Sequence, residues 1–316
     1  MRPRHPDETL APDEFGAAVL EQVPELARIA EIETRVLFNL DSSDVTPDHW
    51  TALAKAAFEA HARYDGVVIT HGTDSMAYTA SALSYILRDL PFPVILTGSQ
   101  RPLSDVHTDG RGNLVGAVDL ALRRIPEVAI YFDGLLLRGN RAIKSSTFTF
   151  GAFSSPNFPA LAVVGTEVRL TGVPLRPSGP FRMAGGFDPR VAVAWIHPGD
   201  DGRVLNALAE SDARAVLVAA YGFGNVPVMD RRVAEGIRAL VAAGKAVAMG
   251  SQSPSGNVDL TRYAGGRLAQ ELGAAGTGDM TLQAAAVKLM HLAAAHDTAD
   301  GIRDALGVPI AGEITV

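Results

Sequence analysis

Short β-branched, apolar runs recur along the first half of the chain, each closed by Gly, Ser, Asn or Pro and followed by an Ala- and Leu-rich stretch of helical pattern. They are "TRVLFNL" from Thr34, "GVVIT" from Gly66, "FPVILTG" from Phe92 and "EVAIYF" from Glu127. Such alternation predicts βαβ units around a sheet of mainly parallel strands flanked by helices. Residues 66–87, "GVVITHGTDSMAYTASALSYIL", pass from strand to helix through one sharp corner, and His71-Gly72-Thr73-Asp74-Ser75 occupies that joint. Between Leu170 and Arg190, "LTGVPLRPSGPFRMAGGFDPR" gathers Pro, Gly and Arg without either periodicity, as a linker does. Beyond it, "RVAVAWIH" from Arg190, "ARAVLVAAYG" from Ala213 and "KAVAMGS" from Lys245 read as further strands, separated by helical stretches such as "MDRRVAEGIRALVAAG". The expected organisation is a two-domain α/β protein with a larger N-terminal domain at 1–170, a linker at 171–190 and a smaller C-terminal α/β domain at 191–316. Trp50 and Trp195 are expected in the two cores.

Composition narrows the function classes. The 316 residues are 47% hydrophobic and 20% charged, with mean hydropathy +0.13, which fits a folded globular chain. A net charge of −7, with both signs interspersed, offers no basic stripe for nucleic-acid phosphates or anionic lipid. No apolar run reaches the roughly 18 residues a membrane span needs. There is no cysteine, so disulfides, thiolate chemistry and cysteine-bound zinc are excluded, and a cytoplasmic location is the compatible expectation.

In open α/β sheets, ligands gather at the carboxyl ends of the strands, where loops and helix starts converge. The polar residues predicted there are Asp41-Ser42-Ser43-Asp44, Thr73-Asp74-Ser75, Thr97-Gly98-Ser99-Gln100, and Arg138, Asn140, Arg141 and Lys144. Each also has a plain structural reading. Thr73, Asp74 or Ser75 could cap the helix starting at Met76. Ser42, Ser43 and Asp44 could form a turn before a helix with Pro47 in its first position, and Lys144 could be a solvated charge. Set against those readings is convergence, for a threonine hydroxyl, an acid and a lysine at neighbouring strand ends could form a relay that activates a nucleophile.

Other motifs are thinner. "GFGN" at 222–225 resembles half a dinucleotide fingerprint, but Val226-Pro227 follows where a third glycine should stand. The eight histidines lack metal-ligand spacing, and His71 reads as a packed strand-end residue. "TGSQRP" at 97–102 and "MGSQSP" at 249–254 both close a strand with Gly-Ser-Gln-x-Pro, which coincidence or shared turn chemistry would explain.

Taken together, "VVITHGTDSMAYTASAL", "VILTGSQRP", "DGRGNL", "RGNRAIKSS", "YGFGNVP" and "GDMTLQAAAVKLM" resemble the bacterial-type L-asparaginase and glutaminase-asparaginase family, from about Asp41 to the C-terminus. The resemblance implies hydrolysis of L-asparagine to L-aspartate and ammonia, with no metal or organic cofactor, by a homodimer or homotetramer. It implies Thr73, Asp74 and Lys144 as a catalytic triad, with Gly72 among the substrate-binding residues. Ser42 and Ser43 would hold the substrate's α-carboxylate and α-amino groups, and Asn225 would reach toward a neighbouring subunit's site.

One departure stands out. Members of that family begin with a strand ending in Thr-Gly-Gly-Thr-Ile, whose first threonine is the assigned nucleophile, followed by a lid carrying a tyrosine. No Gly-Gly-Thr occurs here, and "RPRHPDETLAP" resembles the tail of that lid. The natural chain is therefore expected to start upstream of Met1. If it does not, a weak or inactive homologue that only binds asparagine or aspartate is the alternative. One subunit of the archaeal glutamyl-tRNA amidotransferase shares the domain, but that role brings an RNA-binding partner that this acidic chain does not suggest.

Overall fold

The structure is a computed structural model, and it describes residues 19–315. The stretch resembling a lid tail lies outside them. The chain is a two-domain α/β protein and forms two compact units. The first runs through Ser155 and adds Pro159–Met183, and the second comprises Pro156–Phe158 and the chain from Ala184 onward. No helix among the described residues is long and apolar enough to cross a membrane.

The first unit contains β1 (Val67–Thr70), β2 (Leu87–Arg88), β3 (Val94–Thr97), β4 (Val128–Phe132), β5 (Leu135–Arg138), β6 (Ile143–Lys144), β7 (Phe153–Ser154), β8 (Ala162–Val164), β9 (Val168–Leu170) and β10 (Arg182–Met183). Its main sheet has the order β1-β3-β4-β5-β8-β9. The β1, β3 and β4 strands run parallel, joined by the helices Met76–Ile86 and Gly110–Ala121, and the remaining strands continue antiparallel. Every residue of β3 and β4 is buried, as a parallel strand covered on both faces requires. The helix Met76–Ile86 is buried at all but Tyr78, which accounts for its apolar residues all round instead of a single stripe.

The second unit contains β11 (Val191–Trp195), β12 (Ala215–Ala220), β13 (Ala246–Ser251) and β14 (Ala275–Gly276), paired in that order and all parallel. Leu205, Val216, Val218, Ile237, Leu240 and Met249 fill one side of this sheet. The helix Leu282–Ala295 and the helix Ala299–Leu306 supply the core on the other.

Two expectations fail. Thr34–Leu40 is irregular, although its β-branched run reads as a strand. A strand needs a ladder partner to satisfy its N–H and C=O groups, and among the described residues β1 pairs only with β3, so no ladder receives this segment. Trp50 is buried as expected, but Trp195 is 57% exposed. It lies on β11, an edge strand whose Ala194 enters the core while Val193 and Trp195 stay exposed. A continuous apolar run hid that alternation.

Candidate active site

The corner after β1 is tight for a stated reason. A Cβ on Gly72 would lie 2.7 Å from the Ser42 side chain, so only glycine allows the chain to pass there. Ser42 is buried, and its hydroxyl accepts the Asp74 backbone N–H at 3.3 Å. Its carbonyl accepts the Ser75 hydroxyl. Ser75 stands at the N-cap of the helix Met76–Ile86 but makes no capping bond, so its side chain joins two loops instead of closing a helix. Ser43 is exposed, and its N–H and hydroxyl both donate to Asp41, at 2.8 and 2.7 Å. Those bonds hold the Asp41 carboxyl below its ordinary range. The helix after this turn does start with Pro47, and the Thr46 N–H donates to His49 Nδ1 at 3.0 Å.

The bond that organises the site joins residues about seventy apart. Lys144, on β6, donates from Nζ to Thr73 Oγ1 at 2.7 Å and to Asp74 Oδ1 at 2.6 Å. The Lys144 side chain is 17% exposed and that of Asp74 is 68% exposed. An ion pair with one partner in water contributes little to stability by itself. Its effect is geometric, fixing an ammonium against a hydroxyl oxygen. Lys144 is therefore no solvated surface charge.

His71 sits just before the corner. Its Nδ1 and the Gly72 carbonyl are 2.6 Å apart, and the Thr79 hydroxyl, which accepts from the Trp50 indole at 3.1 Å, lies 3.0 Å from Nε2. Burial pushes its pKa down, opposed by the bond to the Gly72 carbonyl. His71 is thus a packed residue, as the sequence suggested. No group of three His, Asp or Glu side chains among the described residues could hold a metal ion.

Gln100, gathered among the strand-end polar residues, takes part directly, since the Thr73 hydroxyl faces its Oε1 at 3.4 Å. The part played by Asp109, beneath it, is not apparent from the sequence. An acid just before the helix Gly110–Ala121 reads as an ordinary cap, yet it makes no capping bond and turns back to the loop after β3. The only sequence signal is "DGRGNL" following "TGSQRP". Asn225 belongs to the second unit, where Tyr221 and Asn225 bridge a tight turn through Gly222 and Gly224, both at positive φ. The "GFGN" fragment is that turn and does not open a helix.

Comparison with known proteins identifies the family of the chain. The family model "Asparaginase, N-terminal" matches residues 1–176 and "Glutaminase/Asparaginase C-terminal domain" matches residues 190–306. The chain belongs to the asparaginase family. An L-asparaginase of Thermococcus kodakarensis is 39% identical over 287 residues, covering 90% of this chain and 87% of the relative. One subunit of the glutamyl-tRNA(Gln) amidotransferase of Aeropyrum pernix is 35% identical over 312 residues, 93% of this chain and 71% of the relative. The solved structure of the thermostable L-asparaginase from Thermococcus kodakarensis superposes with a TM-score of 0.89 at 37% identity, over 95% of this chain and 92% of that one. Asparaginase membership thus extends over both units.

Proposed function

We propose that this chain hydrolyses the side-chain amide of L-asparagine, giving L-aspartate and ammonia, with Thr73, Asp74 and Lys144 as its catalytic residues. The observation that carries the reading is the Lys144 ammonium within 2.7 Å of Thr73 and 2.6 Å of Asp74 in a member of the asparaginase family. A threonine hydroxyl attacks the amide carbon and the C–N bond breaks. Ammonia leaves with the hydroxyl proton, and water then hydrolyses the ester to free threonine and aspartate. Thr73, polarised by Lys144 and oriented with Asp74, assists the attack and activates that water. Ser42 and Ser43 hold the α-carboxylate and α-amino groups beside Gly72. The scheme uses side chains alone and calls for no cofactor.

The attacking threonine belongs, in this proposal, to a strand that adds beside β1. The support is that β1 is only half-buried and has one paired side among the described residues, whereas β3 is buried throughout. The same reading makes the protein a homodimer or homotetramer in the cytoplasm, with Asn225 serving a neighbouring copy; its Oδ1 is buried without a hydrogen-bond partner among the described residues. Thr73→Val should abolish ammonia release while circular dichroism and melting temperature stay those of the parent. Retained ammonia release would overturn the assignment. A second reading is a protein that binds asparagine or aspartate without turnover, through the loop of Ser42 and Ser43 packed against the corner at Gly72. Calorimetry with both amino acids beside an ammonia assay separates the two.

A further inference from the structure

The hydrogens around Thr73 can be counted. Lys144 Nζ donates to Thr73 Oγ1, so one lone pair of that oxygen faces the ammonium, and the hydroxyl's own hydrogen must go to an acceptor. The acceptor is Gln100 Oε1, at 3.4 Å. The orientation of that amide is not free. Gln100 Nε2 donates to the carbonyls of Ser146 and Thr149, at 3.4 and 3.2 Å, in the loop that follows Lys144. Turning the amide over would set Oε1 against two carbonyl oxygens.

The backbone beneath Gln100 is gripped as firmly. The Asp109 carboxylate accepts the N–H groups of Gln100, at 2.9 and 3.0 Å, and of Arg101, at 3.1 Å. Asn113, one helical turn on and buried, donates to Asp109 at 3.1 Å and to the Gly98 carbonyl at 2.9 Å, and accepts the Asp133 N–H at 3.0 Å. The ionisable groups bonded to this cluster are Lys144, Asp74 and Asp109.

We propose that Gln100, held by Asp109, is a positioning residue that points the Thr73 hydroxyl hydrogen away from Lys144 and fixes the donor direction Lys144 to Thr73 to Gln100. This rests on the proposed amidohydrolase reading and deepens it. In the resting site Lys144 is the donor and Thr73 the acceptor, and a substrate or water that takes the Thr73 hydrogen must replace Gln100 as its acceptor.

The test is Gln100→Glu, read by NMR titration of the Lys144 side chain, with its signal assigned by loss in Lys144→Met. A carboxylate placed where Oε1 now faces Thr73 adds a negative charge beside the Lys144–Thr73 bond and should move the Lys144 titration to higher pH than in the parent. In ammonia release, the alkaline limb of the kcat profile should move up by the same amount. Gln100→Met should lower kcat about 10-fold or more, as losing a hydroxyl's fixed orientation implies, with little change in KM. An unmoved Lys144 titration, or an equal loss of rate at every pH in Gln100→Glu, overturns the proposal. Absence of ammonia release in the parent chain would sink the amidohydrolase reading alone, because the titration still decides where Gln100 points.

Discussion

Two lysine–carboxylate pairs, each at 2.6 Å, lie in the two units of this protein and differ in everything else. Lys288 and Glu313 are both 0% exposed. Their bonds close structure, for Lys288 also donates to the Val308 carbonyl, and Glu313 accepts the N–H groups of Ile310 and Ala311. The chain after the helix Ala299–Leu306 is thereby tied to the helix Leu282–Ala295. Lys144 is instead shared between a carboxylate open to water and a hydroxyl. A sealed pair matched by backbone donors and acceptors has no reason to react. The site pair leaves one partner exposed and places its ammonium on an oxygen that itself carries a proton, which is an arrangement chemistry can use.

Exchanging methionine for each lysine should sharpen that contrast. In Lys144→Met, kcat for ammonia release should fall by about 10²–10⁴, the range expected for a proton-handling group, with the melting temperature nearly unchanged. A comparable loss of stability would make Lys144 structural. Lys288→Met strands the Glu313 carboxylate in a dry interior and should destabilise the fold by about 3–5 kcal/mol, as removing one partner of a buried pair does. Urea unfolding measures it, and a loss under about 1 kcal/mol would mean that the carboxylate finds water.

A third carboxylate, Asp89, lies between these extremes and should give the smallest effect. It accepts the Ser178 N–H and hydroxyl, the Gly179 N–H and the Arg182 guanidinium. These partners, the Ser178 N–H foremost, lower its pKa from 3.8 to about 2. A depressed carboxylate pKa means that the unfolded chain binds the proton first. Its stabilisation is therefore complete above 3.8 and fades as the pH falls through about 2. Asp89→Asn keeps a residue type that tolerates the φ of +56° found there. Its denaturation midpoint should lie below the parent's at neutral pH and converge with it toward pH 2. A gap that stays constant with pH would show that the charge is not the cause.

Much of the corner chemistry was legible in the sequence. A strand followed by His-Gly-Thr-Asp-Ser and a helix can turn in few ways, and Gly72 marks where backbone must pass a side chain. Gln100 was legible as a strand-end polar residue, but its role was not. The same Gly-Ser-Gln-x-Pro sequence recurs at the end of β13, where Gln252 Nε2 donates to the carbonyls of Ile196 and Ala219 at 2.6 and 2.8 Å. There the amide stitches strand ends together, whereas after β3 it links Thr73 to the loop beyond Lys144. The pentapeptide is one sequence in two backbone settings, for Gly98 and Ser99 lie beyond the end of β3 whereas Gly250 and Ser251 end β13 itself. Asp109 was hidden because an acid before a helix has an ordinary use as a cap, and nothing local reveals that its carboxylate faces the other way.

By itself the sequence determined the alternation of strand and helix, the tight corner at Gly72 and the set of polar residues able to do chemistry, because these follow from local sterics and from the period of apolar positions. Tertiary structure alone decided which lysine meets a hydroxyl and which is sealed with a glutamate, that Thr34–Leu40 finds no ladder among the described residues, and that Trp195 stays outside the core. Each of those outcomes depends on which neighbour the sheet order supplies, across tens of residues of chain, and no local pattern records that choice.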